Sequence, residues 1–253
     1  MPFPLAHPAA VLPLRRYCPR WLSFPALVIG SVTPDAGYLF GEQHAGRFSH
    51  ELLGSIGFCL PVGILMAALF YWLRTPLVRV LPAPYRPALL PLCQRSPGSP
   101  WIIVISLLIG TWTHLLWDSF THTNGWFVQH LPVLQGLVAM INGRRVRVCH
   151  LLWYGCSFAG MVWLFAAFEK WKQSAVATDA VTRRRGVLRD GMLVALAVLP
   201  IELVHHLVRL NKLGLCLLAV ACLPLVIGIA LRMASSRKAV TGPAPAAEVS
   251  EAD

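Results

Sequence analysis

The chain has 253 residues, of which 56% are hydrophobic and 13% charged, and its mean hydropathy is +0.61. A soluble domain is usually about a quarter charged, so a water-facing surface cannot be built from so few ionic groups and lipid must cover much of this one. The formal net charge of +11 does not argue for nucleic acid, because basic residues also flank membrane spans and set their orientation. No basic run is interleaved with aromatics in a polar segment, and no nucleic-acid partner is expected.

Met1 to Pro25 holds Arg15, Arg16 and Arg20 after its first apolar residues, and prolines interrupt any signal-peptide core. Phe24 to Phe40 is apolar but broken by Pro34 and Asp35, which leaves a partly buried helix, a re-entrant piece or an additional span open. Five runs are then long enough to cross a bilayer: Leu52–Leu73, Trp101–Phe120, Cys149–Phe168, Gly191–Val208 and Leu213–Leu231. The sequence therefore predicts an all-α, polytopic membrane protein of about five transmembrane helices, with an N-terminal partly buried helix and lipids as its surroundings.

Between the runs, Arg74–Pro100 contains seven prolines and reads as an interfacial loop. Lys170–Arg189 is basic, and Ser235–Asp253 is rich in Ala, Pro and acids, a composition expected to be disordered. The organisation expected is a membrane domain over 1–168, a basic loop over 169–190, a pair of membrane helices over 191–233 and a tail over 234–253. Lys and Arg number thirteen on one side of the five-span arrangement and nine on the other. That bias places the C-terminus in the cytoplasm and the N-terminal region outside it. The seven cysteines form no C-x-x-C pair, and most lie in apolar stretches, so they read as structural thiols.

Ionisable residues within apolar spans are costly and invite a functional reading. In GTWTHLLWDSFTH, His114, Asp118 and His122 follow one another at steps of four and share one helical face. Histidine and carboxylate are zinc-ligand types; the alternative is a hydrogen-bonded polar stripe between helices. His7, Asp35 and His50 add the same chemistry near the N-terminus, and His50 immediately precedes the first span. Two crossings return the chain to its starting side, so His7, Asp35, His50, His114 and Asp118 can converge at one membrane face, the non-cytoplasmic one in this orientation. A Phe24–Phe40 segment that crossed the membrane would remove His7 from that face.

Other polar features carry less. Glu202, His205 and His206 lie within the fourth run and read as an interior polar pair or interfacial residues. Arg144, Arg145 and Arg147 read as an interfacial cluster able to attract anionic headgroups. Trp112, Trp117, Trp126 and Trp153 read as an interfacial belt.

The segments MPFPLAHPAAVLPL, ALVIGSVTPDAGYLF, FSHELLG and GTWTHLLWDSFTHTNGWFVQHLP resemble domain-of-unknown-function 4184, a family of bacterial membrane proteins, over residues 1 to about 165. That family is in turn distantly similar to membrane-bound metal-dependent hydrolases and to the helical zinc phospholipase C and nuclease fold. The resemblance implies a bacterial inner-membrane location and metal ligands at His7, Asp35, His50, His114 and Asp118, with His122 as a possible additional ligand. No His-x-x-x-Glu pair follows, so one or two ions are expected rather than three. Zinc is the ion implied, although His and carboxylate ligands also suit manganese or iron. The activity implied is metal-assisted hydrolysis of phosphoesters such as lipid headgroups, with Asp35 as general base. The rival is a non-catalytic membrane protein, a transporter or assembly factor, with His114 and Asp118 on an ion or proton path.

Overall fold

A computed structural model describes residues 3–40, 44–81, 85–141 and 143–175. The fourth and fifth apolar runs, with Glu202, His205 and His206, most of the basic loop and the tail, lie outside the described residues. What is described is mostly helical. A 3-10 helix, Pro4–Tyr17, is followed by α1, Phe24–Ala36, a 3-10 turn, Gly37–Leu39, and the short α2, Ala45–Phe48. Next come α3, Leu52–Gly54, a π-helical turn, Ser55–Cys59, and α4, Leu60–Arg79, which together make one continuous helix. The chain continues through α5, Tyr85–Cys93, α6, Pro100–Thr121, α7, Trp126–His130, and α8, Pro132–Gln135. Strands β1, Leu137–Ile141, and β2, Arg144–Arg147, then lead into α9, Val148–Ala175.

Among the described residues, three helical stretches are long and apolar enough to cross a membrane: Leu52–Arg79, Pro100–His130 and Val148–Ser174. They coincide with the first three apolar runs. Many of their large side chains point outward, including Leu65 and Trp72 on α4 and Trp101 on α6, as lipid contact requires. The helix of the third run continues past Phe168 to Ala175, so the first residues of the expected basic loop are helical.

α1 has 13 residues, about 20 Å of helix against the about 30 Å of a bilayer core. It is a buried helix packed mainly on α6, with Ala26, Leu27, Ile29 and Asp35 all inside. The contact is close because both helices present glycine where they cross. A Cβ on Gly30 would stand 2.2 Å from the Leu107 carbonyl oxygen, and one on Gly110 would stand 2.2 Å from that of Leu27. Small residues of this kind let membrane helices approach backbone to backbone. Polar groups complete the seam: the Ser23 amide donates to Ser106 Oγ at 2.8 Å and Thr111 Oγ1 donates to the Gly30 carbonyl at 3.2 Å. On α6 the buried positions Ser106, Gly110, His114 and Asp118 succeed one another at steps of four, so the face that packs on α1 also carries the site residues.

The N-terminal helix is held from its other side by α9. The Phe3 amide donates to Ser157 Oγ at 2.9 Å, and Gly160 sits where a Cβ would come within 3.2 Å of the Ala6 carbonyl oxygen. Trp153 is buried in this region rather than standing in an interfacial belt, whereas Trp112, Trp117 and Trp126 are exposed.

Two features depart from the sequence expectation. The proline-rich stretch after the first span is not a plain loop. α4 runs through Pro76, losing the hydrogen bond to the Trp72 carbonyl, and closes at Arg79. α5 then forms with Pro87 in its first turn, where a missing N–H costs little. Arg74 Nη2 donates to the Arg95 carbonyl at 2.7 Å and ties the two helices together. The fold is also not all-α, because β1 and β2 pair as an antiparallel hairpin with Ile141 opposite Arg144. The sequence Asn-Gly at 142–143 is a strong hairpin signal, and Gly143 takes φ +75°, a conformation that favours glycine.

Candidate metal centre

Five side chains from four chain segments meet at the end of the α1–α6 seam. His7 comes from the N-terminal 3-10 helix, Asp35 from the last turn of α1, and His50 from the turn between α2 and α3. His114 and Asp118 come from α6. His7, Asp35, His114 and Asp118 are buried, and His50 keeps 17% of its side chain exposed. The turn that carries His50 is fastened to α1, since Ser49 Oγ donates to the Pro34 carbonyl at 2.8 Å. The ring of Tyr38 leans on the His50 ring at 5.0 Å.

The nitrogens and oxygens that face one another are evenly spaced. His114 Nε2 lies 3.6 Å from Asp35 Oδ1 and 3.4 Å from Asp118 Oδ2. His50 Nε2 lies 3.5 Å from Asp35 Oδ1 and 3.6 Å from Asp118 Oδ2. His7 Nε2 lies 3.7 Å from Asp118 Oδ1, and its ring stacks on that of His114 at 3.7 Å. These separations exceed the about 2.7–3.2 Å of an N–H···O bond. They match the about 3.4 Å between two ligand atoms each about 2.1 Å from one tetrahedral ion.

Seven buried side-chain atoms among the described residues have no hydrogen-bond partner, and all seven belong to these five residues: both ring nitrogens of His7, both oxygens of Asp35, Nε2 of His50 and of His114, and Oδ1 of Asp118. Buried polar atoms are normally paired, so a cluster of unpaired ones converging on one space suits a cation. Two sets of three place their ligand atoms within 4.8 Å of one another: His7, His114 and Asp118, and Asp35, His50 and His114. A metal ion can be held by either.

The outward ring nitrogens fix which nitrogen faces in. His114 Nδ1 donates to the Ser31 carbonyl at 2.7 Å, and His50 Nδ1 donates to the Gly46 carbonyl at 2.8 Å. A carbonyl only accepts, so each Nδ1 carries a proton and each ring turns its Nε2 toward the carboxylates. Metal-ligating histidines characteristically donate their other N–H in this way. Burial, with His114 nearby, holds the His7 imidazole down at about 3, so His7 is neutral at pH 7 and offers a lone pair. At Asp35 burial acts to raise the pKa, but the imidazoles of His114, His50 and His7 outweigh it and keep the carboxyl below its usual range.

His122 stands differently. Its Nδ1 is 3.6 Å from Asp118 Oδ1 and 3.1 Å from the Asp118 carbonyl, and 27% of its side chain is exposed. It belongs to neither ligand set and lies at the solvent margin of the cluster. A cleft of about 480 Å³ is lined by His44, Ala45, Arg47, Phe48, Glu51 and Phe58. Those residues flank His50 in the chain, but none of the five cluster residues lines the cleft.

Sequence reasoning named the inward-facing side chains and missed what orients them. Ser31 acts through its backbone carbonyl, which leaves no mark in a sequence. Gly110 could have been found as the small residue that stands four positions from both Ser106 and His114 on α6.

Comparison with known proteins gives one match. No curated protein and no solved structure matches the chain. The family model described as "Domain of unknown function (DUF4184)" matches residues 1–237, well past the segments that carry the resemblance in sequence. The chain belongs to the domain-of-unknown-function 4184 family.

Proposed function

We propose that this protein is a membrane-embedded, metal-dependent hydrolase of phosphoesters, with lipid headgroups as the natural substrate class. The observation that carries the reading is the convergence of unpaired, buried Nε2 and Oδ atoms at ligand-to-ligand spacing. The reaction class comes from the sequence resemblance to zinc hydrolases alone, as an analogy of site and not of measured activity. Zinc fits the donor set of imidazole and carboxylate.

His7, His114 and Asp118, or Asp35, His50 and His114, would hold a divalent ion, which when bound would supply a water with its pKa lowered to about 7 and a charge to polarise a phosphoryl oxygen. The chain's own groups do the rest. His114 and His50, held by the Ser31 and Gly46 carbonyls, keep their Nε2 atoms aimed inward. Asp35 Oδ1 faces both imidazoles, while its Oδ2 is buried without a hydrogen-bond partner. We assign to Oδ2 the role of general base, taking a proton from an attacking water. The partly exposed edges of His50 and His122 mark the direction from which water and substrate enter. Clustering at one end of α6, rather than spacing along it, favours a hydrolase over an ion or proton path.

The test compares metal content and phosphoester hydrolysis of the detergent-purified protein with a His114→Ala, Asp118→Ala double variant. Bound metal and turnover in the wild type, both absent from the variant, are expected. Equal metal content in the two proteins refutes the metal centre, and metal without turnover of any phosphoester refutes the hydrolase.

A further inference from the structure

The β1–β2 hairpin is the described element whose surface the fold leaves least explained. An antiparallel sheet that packs on a core in a soluble protein commonly has one apolar and one solvated, polar face. In β1, Leu137, Val138, Met140 and Ile141 are all exposed, so apolar side chains stand in the open on both faces of the ribbon. β2 sets arginine directly across from them, with Arg145 opposite Met140 and Arg147 opposite Leu137.

The place of the hairpin in the chain limits what can cover it. α9 begins at Val148, immediately after β2 ends at Arg147, and the Val148 amide donates to the Gly136 carbonyl at 3.0 Å. The base of the ribbon is therefore fixed to the first turn of a membrane-length helix with no linker. Upstream, α7 and α8 connect it to the end of α6 that carries Asp118, through the stacked rings of Phe120 and Phe127 at 3.9 Å. The hairpin thus projects at a membrane boundary, on the face where the His and Asp cluster lies.

We propose that this hairpin is an interfacial anchor that lies in the lipid headgroup layer, its β1 side chains dipping toward the acyl chains and Arg145 and Arg147 held by anionic phosphates. Long arginine side chains reach from apolar surface to a polar boundary, and basic residues near a membrane bind acidic lipids. Backbone chemistry sets the depth. A two-stranded ribbon has two unpaired edges, which hydrocarbon does not tolerate, so the ribbon stays at the boundary and does not enter the core. The inference is independent of whether the metal centre is catalytic.

Photocrosslinking tests it in the full-length chain, reconstituted in vesicles of phosphatidylethanolamine and phosphatidylglycerol. Benzoylphenylalanine replaces Met140 in one variant and Leu65, exposed on a membrane-length helix, in a control. Lipid adducts at both positions are expected. In an Arg145→Gln, Arg147→Gln background the phosphatidylglycerol share of the adducts at position 140 should fall on the order of tenfold. Adducts at position 140 to a second copy of the chain or to another protein overturn the anchor. So does an absence of lipid adducts there while position 65 gives them, or a phosphatidylglycerol share that ignores the arginines.

Discussion

The Nδ1 atom of His114 donates to the carbonyl oxygen of Ser31 at 2.7 Å, and this bond turns Nε2 toward Asp35 and Asp118. The acceptor sits on α1 and the ring on α6, so the tautomer that serves a metal is enforced by packing between two helices. The site is as well defined as that seam.

Asp118 is the residue whose charge the cluster can least lose, because it faces His7, His50, His114 and His122 at 3.4–3.7 Å. Asp118→Asn keeps its shape and removes its charge. Metal affinity should drop by about a hundredfold or more, given that even residues behind the ligands are worth about 10–100-fold. Metal analysis after dialysis against buffered zinc measures this, and full retention of metal by a folded Asp118→Asn protein would contradict the assignment.

Gly110 tests the seam itself. A Cβ there meets the Leu27 carbonyl oxygen at 2.2 Å, so Gly110→Ala must push α1 away from α6. Overpacking of this kind costs about 1–3 kcal/mol. Gly155 on α9 has nothing within 4 Å of its virtual Cβ, and Gly155→Ala should be neutral or gain up to about 1 kcal/mol in helix propensity. Thermal melts in detergent compare the two. Equal melting temperatures would mean that the close crossing does not hold the helices.

His7 gives a pH dependence with a definite sign. Its imidazole is held at about 3 by burial and by His114, against about 6.5 in an unfolded chain. The unfolded chain therefore binds the extra proton between those values. Stability from a neutral His7 is complete above about pH 6.5 and is lost as the pH falls toward 3, by about 1.4 kcal/mol per unit within that window. Asp35, with its pKa lowered, adds a loss of the same sign only below about pH 4. Melting temperature should fall from pH 6.5 to 4.5 in the wild type and fall less steeply in His7→Gln. A slope unchanged by the substitution would remove His7 as its source.

How much of this was legible in sequence depends on the kind of signal. His114 and Asp118 could be read because a helix repeats every four residues and because ionisable groups are rare in an apolar run. Gathering His7, Asp35 and His50 with them needed only a count of membrane crossings, and the structure brings all five together. α1 could not be settled, because the apolar segment Phe24–Phe40, broken by Pro34 and Asp35, fits a buried helix, a re-entrant piece or a span; its 13-residue length and its packing on α6 decide for the buried helix. The hairpin was missed although Asn142-Gly143 is a turn signal, because the arginines of β2 drew attention as a charge cluster. The helices in the proline-rich stretch were hidden for a different reason. Prolines near helix ends cost little, but in sequence they look the same as prolines in loops.

His122 separates the geometry from the spacing. By spacing alone it extends the His114, Asp118 series as a third ligand on one face. In space its Nδ1 approaches the Asp118 backbone carbonyl at 3.1 Å, and it falls outside both three-residue ligand sets, whereas His50 belongs to one of them. A group at the margin contributes to water access or proton transfer and not to holding the ion. His122→Ala should therefore lose no more than the about 10–100-fold of affinity that an outer-shell residue is worth, while His50→Ala should lose the metal. Competition with a chelator, followed by metal analysis of the two variants side by side, reads the difference. If His122→Ala is stripped of metal as readily as His50→Ala, the ion lies closer to the end of α6 and His122 is a ligand after all.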